Sequence, residues 1–330
     1  MIKVGITGCE NLRAAELVRV LLNHPDVELK WVTNSSNEAV RLDHIVPGVI
    51  GETDLMVNAD DGQDNRAVDI VFACGRRGRV SHEIENLPPE TRVVDLSGSH
   101  NLDHDTDKPW KYGLSEMQRR VLVHETNLVT VPGNAAAACL LALMPMARNL
   151  LINNPVALKV SMGSLAFPCG DAQRPLTLDG LDAYQWAHEQ QREVVLALSQ
   201  CQSSFNQPVE LTISRLEDRR ALTAEASFKC GVDDEMIKQL YEQYYSDHNF
   251  VFMVDRPVAT ADVENTNKCL IYLSKDDTTG LLTIKATMDL LLKGCVGTAV
   301  HMMNLMFGLH ERVGLSLKAT GCYVMIIYII

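Results

Sequence analysis

The chain lacks the marks of a disulfide-built, metal-built or membrane-spanning protein. Its nine cysteines fall without paired spacing, with no CxxC and no His/Cys cluster. That excludes a structural zinc and points to reduced thiols in a cytoplasmic setting. No apolar run reaches about 18 residues, so no membrane-spanning helix is expected. The opening MIKVGITG reads as a strand and a turn, not as a charged start followed by an apolar segment, so no secretory signal is expected. The tail YVMIIYII at 323–330 is too short to cross a bilayer and reads as a buried strand, a subunit contact or an untypical chain end. Positive charge is scarce. Thirty Lys and Arg against 42 Asp and Glu leave a net charge of −12 at pH 7. This argues against nucleic acid or an anionic membrane as partner, while local basic groups leave small anions open. There is no internal repeat and no low-complexity linker.

What is present suits a soluble protein of two domains: 330 residues, 46% apolar and 22% charged. Strands are expected at 2–6, 27–32, 68–74, 92–96 and 128–131, with an amphipathic helix at 12–22. Alternation of this kind implies an α/β fold with a doubly wound, Rossmann-type parallel sheet. Beyond 150 the pattern changes. Strands at 156–162, 209–213, 221–228, 269–273 and 281–288 and a long helix at 182–198 form a second, α+β unit. Several of its strands alternate polar with apolar residues, as antiparallel strands with one wet face do. A last amphipathic helix is expected at 296–309.

The stretch 129–146, VTVPGNAAAACLLALMPM, reads as strand, tight turn and helix. Residue 134 then stands at a helix N-terminus, where free N–H groups and the helix dipole favour negative charge. A cysteine there would have a lowered pKa. The residue is Asn134.

Gly5, Thr7 and Gly8 follow the first strand, in the turn where a dinucleotide fold needs glycine so that a pyrophosphate can approach the backbone. The third glycine position is Asn11. The same turn also fits an α/β fold with no nucleotide. At the end of the second strand stand Ser35, Ser36 and Asn37, with Arg41 further on. Hydroxyls plus a cation suit a 2′-phosphate and hence NADP. They equally suit a helix N-cap. Arg76, Arg77 and Arg79 lie in a loop that either meets phosphate or is simply solvated.

These pieces together resemble the N-acetyl-gamma-glutamyl-phosphate reductase family, relatives of aspartate-semialdehyde dehydrogenase. The likeness runs nearly end to end. It is strongest in GITG (5–8), AELVRVLLNHPDVEL (15–29), VVDLS (93–97) with YGLSE (112–116), NTNKCLIYL (265–273) and NLMFGLHERVGL (304–315). The resemblance implies a NADP-binding domain of residues 1–148 and 296–330, and a substrate and oligomerisation domain of residues 149–295. It also implies a homodimer or homotetramer, and an acyl-glutamate-type substrate. The family reduces an acyl phosphate to an aldehyde with NADPH. A cysteine in an NPGCYPTA motif attacks the acyl carbon, hydride reduces the thioester, and a histidine in an HRHxPE-like motif handles the proton.

The departures cluster on chemistry. Asn134 stands at the family cysteine and cannot form a thioester; it reads as a helix N-cap. Of the histidine motif, His188 and Glu193 remain, with Gln190 and Arg192 at the second histidine and the proline. The glycine-rich substrate loop is 163–170, with Ser164 retained. Arg220 falls on the substrate arginine and either holds an anion or is neutralised by Asp218. Leu290 replaces a polar group expected near the nicotinamide. Among other thiols, Cys139 reads as a core residue, Cys169 as the better substitute and Cys9 as misplaced. Two readings follow. One is a catalytically silent member that keeps fold and assembly and binds a ligand or an active reductase subunit. The other is an NADP-dependent aldehyde oxidoreductase using His188 and Arg220.

Overall fold

Short apolar runs alternate with helices through the first 130 residues, and each run buries itself by joining one sheet. The computed structural model describes residues 1–36, 38–58, 67–78, 80–84, 86–102, 110–124, 126–167, 169–170, 175–176 and 181–321. Asn37, Arg79, the side chain of Cys169 and the tail 323–330 lie outside the described residues. The elements of this half are β1 (Ile2–Thr7), α1 (Leu12–Leu22), β2 (Val27–Val32), β3 (Val40–Arg41), α2 (Leu42–Ile45), β4 (Met56–Val57), β5 (Ile70–Ala73), α3 (Val80–Ile84), β6 (Arg92–Asp95), β7 (Lys111–Tyr112), α4 (Ser115–His124) and β8 (Leu128–Thr130).

They form one sheet in the order β3-β4-β2-β1-β5-β6-β8-β7. All its pairs are parallel except β3 with β4 at the edge. The chain runs outward from β1 in one direction through β2 and in the other through β5. The C-terminal ends of β1 and β5 therefore flank a topological switch point, the place where such sheets open a crevice for ligands. The doubly wound sheet expected from the sequence is the one observed.

The second half contains α5 (Asn134–Arg148), β9 (Val156–Met162), β10 (Cys169–Gly170), β11 (Pro175–Leu176), α6 (Ala183–Cys201), β12 (Val209–Arg215), β13 (Ala221–Lys229), α7 (Asp234–Tyr245), β14 (Val251–Val254), β15 (Cys269–Asp276), β16 (Leu281–Asp289) and α8 (Gly297–Met306). Its six-stranded sheet has the order β12-β9-β13-β16-β15-β14 and is mixed, with β9–β12 and β14–β15 parallel. Leu222, Ala224, Ala226 and Phe228 of β13 are buried on one face. The alternate residues carry polar cross-strand pairs on the other: Thr223 with Thr287 at 3.2 Å, Ser227 with Thr283 at 3.1 Å and Lys285 with Glu225 at 3.3 Å.

Two cores result. One joins Val4, Ile6 and Leu17 to Val300, Met302 and Met303 of α8, so the last helix returns to the first sheet. The other gathers α5 with β9, β13 and β16. Residues 135–147 of α5, counted with the first domain from sequence, are packed almost wholly into the second core, because the helix is apolar on every side and only the second sheet offers it a face. A π-helical turn, Leu292–Val296, precedes α8. No helix among the described residues is long and apolar enough to cross a membrane.

Candidate active-site cleft and nucleotide crevice

The N-terminus of α5 sits where the two cores meet. Pro132 and Gly133 follow β8, and Gly133, with φ −57° and ψ 138°, is the cap residue. Asn134 is thus the first helical residue and not the N-cap. Its side chain still serves the helix end, because Asn134 Oδ1 accepts from Ala135 N at 2.8 Å. The neighbouring donors are taken from across the cleft. Gln190 Oε1 accepts from Ala136 N at 3.0 Å, and Glu193 Oε1 accepts from Gly133 N at 2.9 Å. The N–H groups that would steady a thiolate or an oxyanion are therefore held by two amides and a carboxylate. Gly133 makes this possible: a Cβ there would lie 2.2 Å from Gln190 Nε2.

Helix α6 supplies the opposite wall. Asp182 caps it, accepting from Tyr184 N and Gln185 N. Trp186, Glu189, Gln190 and Glu193 recur at i, i+3, i+4 and i+7 and all line the cleft. His188 lies off this stripe and is exposed, so the histidine that survives in the motif faces solvent and the position facing the cleft is Gln190. Glu193 is buried and also accepts from Tyr112 Oη at 2.7 Å and Asn101 Nδ2 at 3.3 Å. Burial, with Glu193 beside it, pushes the Tyr112 phenol well up. From the first domain come Arg13, which donates to Leu96 O at 2.5 Å, and Arg77, which bonds Glu189 across the mouth. The enclosed space is about 40 Å³, enough for a few waters but not for a nicotinamide ring.

Cys295 lines the cleft, on the π-helical turn beside Gly294; the sequence reading did not single it out. Burial raises the Cys139 thiol to about 12, and burial with Glu10 nearby raises Cys9 to about 12, so neither is a thiolate near neutral pH.

Arg220 is placed otherwise than a substrate ligand would be. Its guanidinium binds Asp289 through Nε at 2.7 Å and Nη2 at 3.0 Å, and Nη2 also reaches Glu16 of α1 at 2.7 Å. The arginine is thus neutralised, but by Asp289 and Glu16. Asp218 instead accepts from Thr260 Oγ1 at 2.7 Å and from Arg220 N. Burial pushes Glu16 up, yet Arg19 and Arg220 outweigh it and hold the carboxyl below its usual range. Ser164 is half-buried in a 3₁₀ turn, its N–H donating to Asp218 O; Ala166 of the same turn, not Ser164, is on the cleft wall. Leu290 is buried in the second core.

At the switch point, Gly8 has φ +69° and packs so tightly that a Cβ would lie 2.3 Å from Gly75 Cα. Gly5 is within β1, and its missing side chain makes room for Trp31, not for a ligand. Thr7 ends β1 and is buried; its carbonyl accepts from Cys74 N. Asn11 is the N-cap of α1, extended at φ −136°, with Oδ1 on Ala14 N and Nδ2 on Cys74 O at 2.6 Å. Nδ2 also donates to Gly8 O at 3.3 Å, so the side chain ties the turn to the end of β5. Ser35 and Ser36 are exposed, and no helix follows them; the chain re-enters the sheet as β3, so they are not a helix cap. Arg41 is held bidentately by Asp43, at 2.7 and 3.1 Å, and by Asp54 at 3.2 Å. The cation expected for a 2′-phosphate is already paired. Among the described residues no cluster of three or more metal-ligating side chains occurs.

Comparison with known proteins places this geometry. The family model for the semialdehyde dehydrogenase NAD binding domain matches residues 3–124, and that for the semialdehyde dehydrogenase dimerisation domain matches residues 135–289. The chain is 35% identical over 327 residues to N-acetyl-gamma-glutamyl-phosphate reductase of Phocaeicola vulgatus, covering 97% of this chain and all of that protein. It is 36% identical over 327 residues to the reductase of Bacteroides thetaiotaomicron, with the same coverage. Among solved structures, aspartate semialdehyde dehydrogenase II of Vibrio cholerae superposes with a TM-score of 0.68 at 12% identity, over 92% of this chain and 98% of that one. Aspartate semialdehyde dehydrogenase of Candida albicans gives 0.65 at 14% identity, with the same coverage. At such identities the likeness is one of fold.

Proposed function

Because this chain belongs to the N-acetyl-gamma-glutamyl-phosphate reductase family of semialdehyde dehydrogenases, we propose that it is a binding and assembly member of that family. In this reading it takes up a nicotinamide dinucleotide and self-associates, but does not form the acyl-thioester on which acyl-phosphate reduction depends. One observation carries the proposal. The amides of Asn134 and Gln190 stand at the positions of the family thiol and of the second histidine of its motif, and both are spent on first-turn N–H groups of α5. A neutral amide cannot replace a thiolate, and losing a nucleophile costs on the order of a million-fold in rate.

The residues present fit a dinucleotide at the switch point. Gly8 brings the first turn hard against the end of β5, and the eleven-residue helix α1 opens there with its N-terminus toward the crevice, a seat for a pyrophosphate. A bound dihydronicotinamide would supply a hydride; the protein's part would be to seat it between Pro132–Gly133 and the 294–295 turn. To enter, it must part Arg77 from Glu189. The polar face of the six-stranded sheet supports self-association, as the family description "dimerisation domain" does, either into a homodimer or homotetramer or with an active reductase subunit. The seven cysteines whose side chains are described are buried and form no disulfide with one another, in keeping with a reducing cytoplasm.

The competing reading, a direct aldehyde reductase, draws no support from the geometry. His188 is exposed and Arg220 is clamped by two carboxylates. The test is a titration with NADH and NADPH alongside an assay with N-acetyl-glutamyl phosphate. Binding without turnover supports the proposal. Turnover overturns it, and loss of that turnover in Cys295→Ser would locate the chemistry on the cleft's own thiol.

A further inference from the structure

From the crevice beside β2 we infer a cofactor preference opposite to the one its hydroxyls and arginine imply: this chain selects unphosphorylated NAD(H) over NADP(H), with Glu10 as the selecting residue. The inference rests on the dinucleotide reading above and concerns only the adenosine end of the ligand.

The first turn and the end of β2 are sewn together. Cys9 N donates to Thr33 O at 2.9 Å, and Thr33 N donates to Ile6 O at 2.8 Å. This lays Glu10 against the segment that follows β2, and Glu10 Oε2 accepts from Ser35 N at 3.2 Å. In parallel dinucleotide folds, the end of the second strand is where the adenosine ribose lies. A 2′-phosphate there needs N–H groups, hydroxyls and a free cation. Here the Ser35 N–H is already given to a carboxylate. The Ser36 hydroxyl is held by Glu38 N at 3.0 Å and keeps only its single O–H to offer. Arg41 is neutralised by Asp43 and Asp54. The loop is further fixed by Asn58, which has φ +55°. Its amide bonds Asn34 Oδ1 at 2.6 Å as well as Ser36 O, and its Oδ1 accepts from Asn34 N at 3.0 Å. These bonds fix Asn34 and Ser36 in the places described.

The same arrangement suits a ribose diol. Glu10 is exposed, so its carboxylate can accept from ribose hydroxyls, the task an acidic residue at the end of β2 performs in NAD-binding folds. Here that carboxylate comes from the turn after β1, which is why reading the end of β2 alone misses it. A 2′-phosphate would bring roughly two negative charges against it.

The experiment measures Kd for NADH and NADPH by intrinsic-fluorescence titration or calorimetry, and for AMP and adenosine 2′,5′-bisphosphate as probes of the adenosine end alone. The wild-type chain and Glu10→Gln are compared at low and physiological salt. The expected result is a preference of about tenfold or more for the ligands without 2′-phosphate, smaller at higher salt. In Glu10→Gln the preference narrows severalfold, chiefly through tighter binding of the phosphorylated ligands. Equal or tighter binding of NADPH by the wild type overturns the inference and leaves the proposed function standing. A preference unchanged in Glu10→Gln overturns the role of Glu10. No binding of any of the four ligands overturns both the inference and the dinucleotide reading on which it rests.

Discussion

Replacing Arg220 with methionine separates a structural arginine from a substrate-binding one. The side chain is 14% exposed, and it joins Asp289 at the end of β16, which is fully buried, to Glu16 of α1 in the other domain. Methionine keeps much of the stem and removes three charge-assisted bonds. Glu16 retains Arg19 at 2.7 Å. Asp289 retains backbone donors from Asn265, Leu291 and Leu292 at 2.7, 2.9 and 2.8 Å. Removing one partner of a buried pair costs about 3–5 kcal/mol, and the surviving N–H groups on Asp289 favour the lower end. At about 3 kcal/mol, and with an unfolding entropy of about 0.7 kcal/mol/K for a chain this size, the thermal midpoint falls by roughly 4 °C. Differential scanning calorimetry reads the shift. Arg220→Lys, which keeps the charge but loses the fork, falls between the two. A midpoint within about 1 °C of wild type in Arg220→Met would refute the clamp and return Arg220 to the substrate site.

Three further outcomes follow from the same geometry. Glu116 and Lys293 form a buried pair at 2.6 Å. Burial alone would raise the Glu116 carboxyl, but Lys293 and then His301 hold it down from 4.5 to about 2. A depressed carboxyl stabilises the fold above its unfolded value and loses that contribution as pH falls from about 5 toward 2. The amount is about 3 kcal/mol, and acid titration followed by circular dichroism should show Glu116→Gln losing most of this pH dependence. Gly133→Ala would drive a Cβ into the Gln190 amide and free Ala136 N, destabilising by about 1–3 kcal/mol in urea denaturation. Asn134→Cys alone should leave acyl-phosphate turnover at least about 100-fold below that of an active reductase. Gln190 still stands at the second histidine of the motif, on the cleft wall, and general acid–base catalysis contributes about 10²–10⁴; steady-state kinetics on Asn134→Cys with and without Gln190→His checks this.

Local chemistry made much of the fold legible. α1, β2 and β9 fall at the bounds expected from the sequence, and β1 one residue beyond them, because an apolar stripe at helical spacing and short, cleanly ended apolar runs mark these elements locally. Helix α7 was not seen: its sequence DEMIKQLYEQYY is mostly polar, and only Ile237, Tyr241 and Tyr245 are buried, a stripe too narrow to stand out. The two-residue strands β3 and β4 exist only through pairing with each other and β2. The site was legible by position but not by facing. A motif match selects His188, whereas the helical period that brings Trp186, Glu189 and Glu193 to the cleft selects Gln190. Arg220 was misjudged for a different reason. Its partners lie 69 and 204 residues away in sequence, and no local pattern announces them.

The central claim, that amides have replaced the covalent chemistry of α5's N-terminus, is tested most directly by incubating the purified chain with N-acetyl-glutamyl phosphate. Intact-protein mass spectrometry follows the chain, and consumption of NADH and NADPH is recorded in parallel. The account predicts no acyl adduct and no reduced-nicotinamide consumption above the uncatalysed background. A mass increase of one acyl group, or steady oxidation of either cofactor, would contradict it.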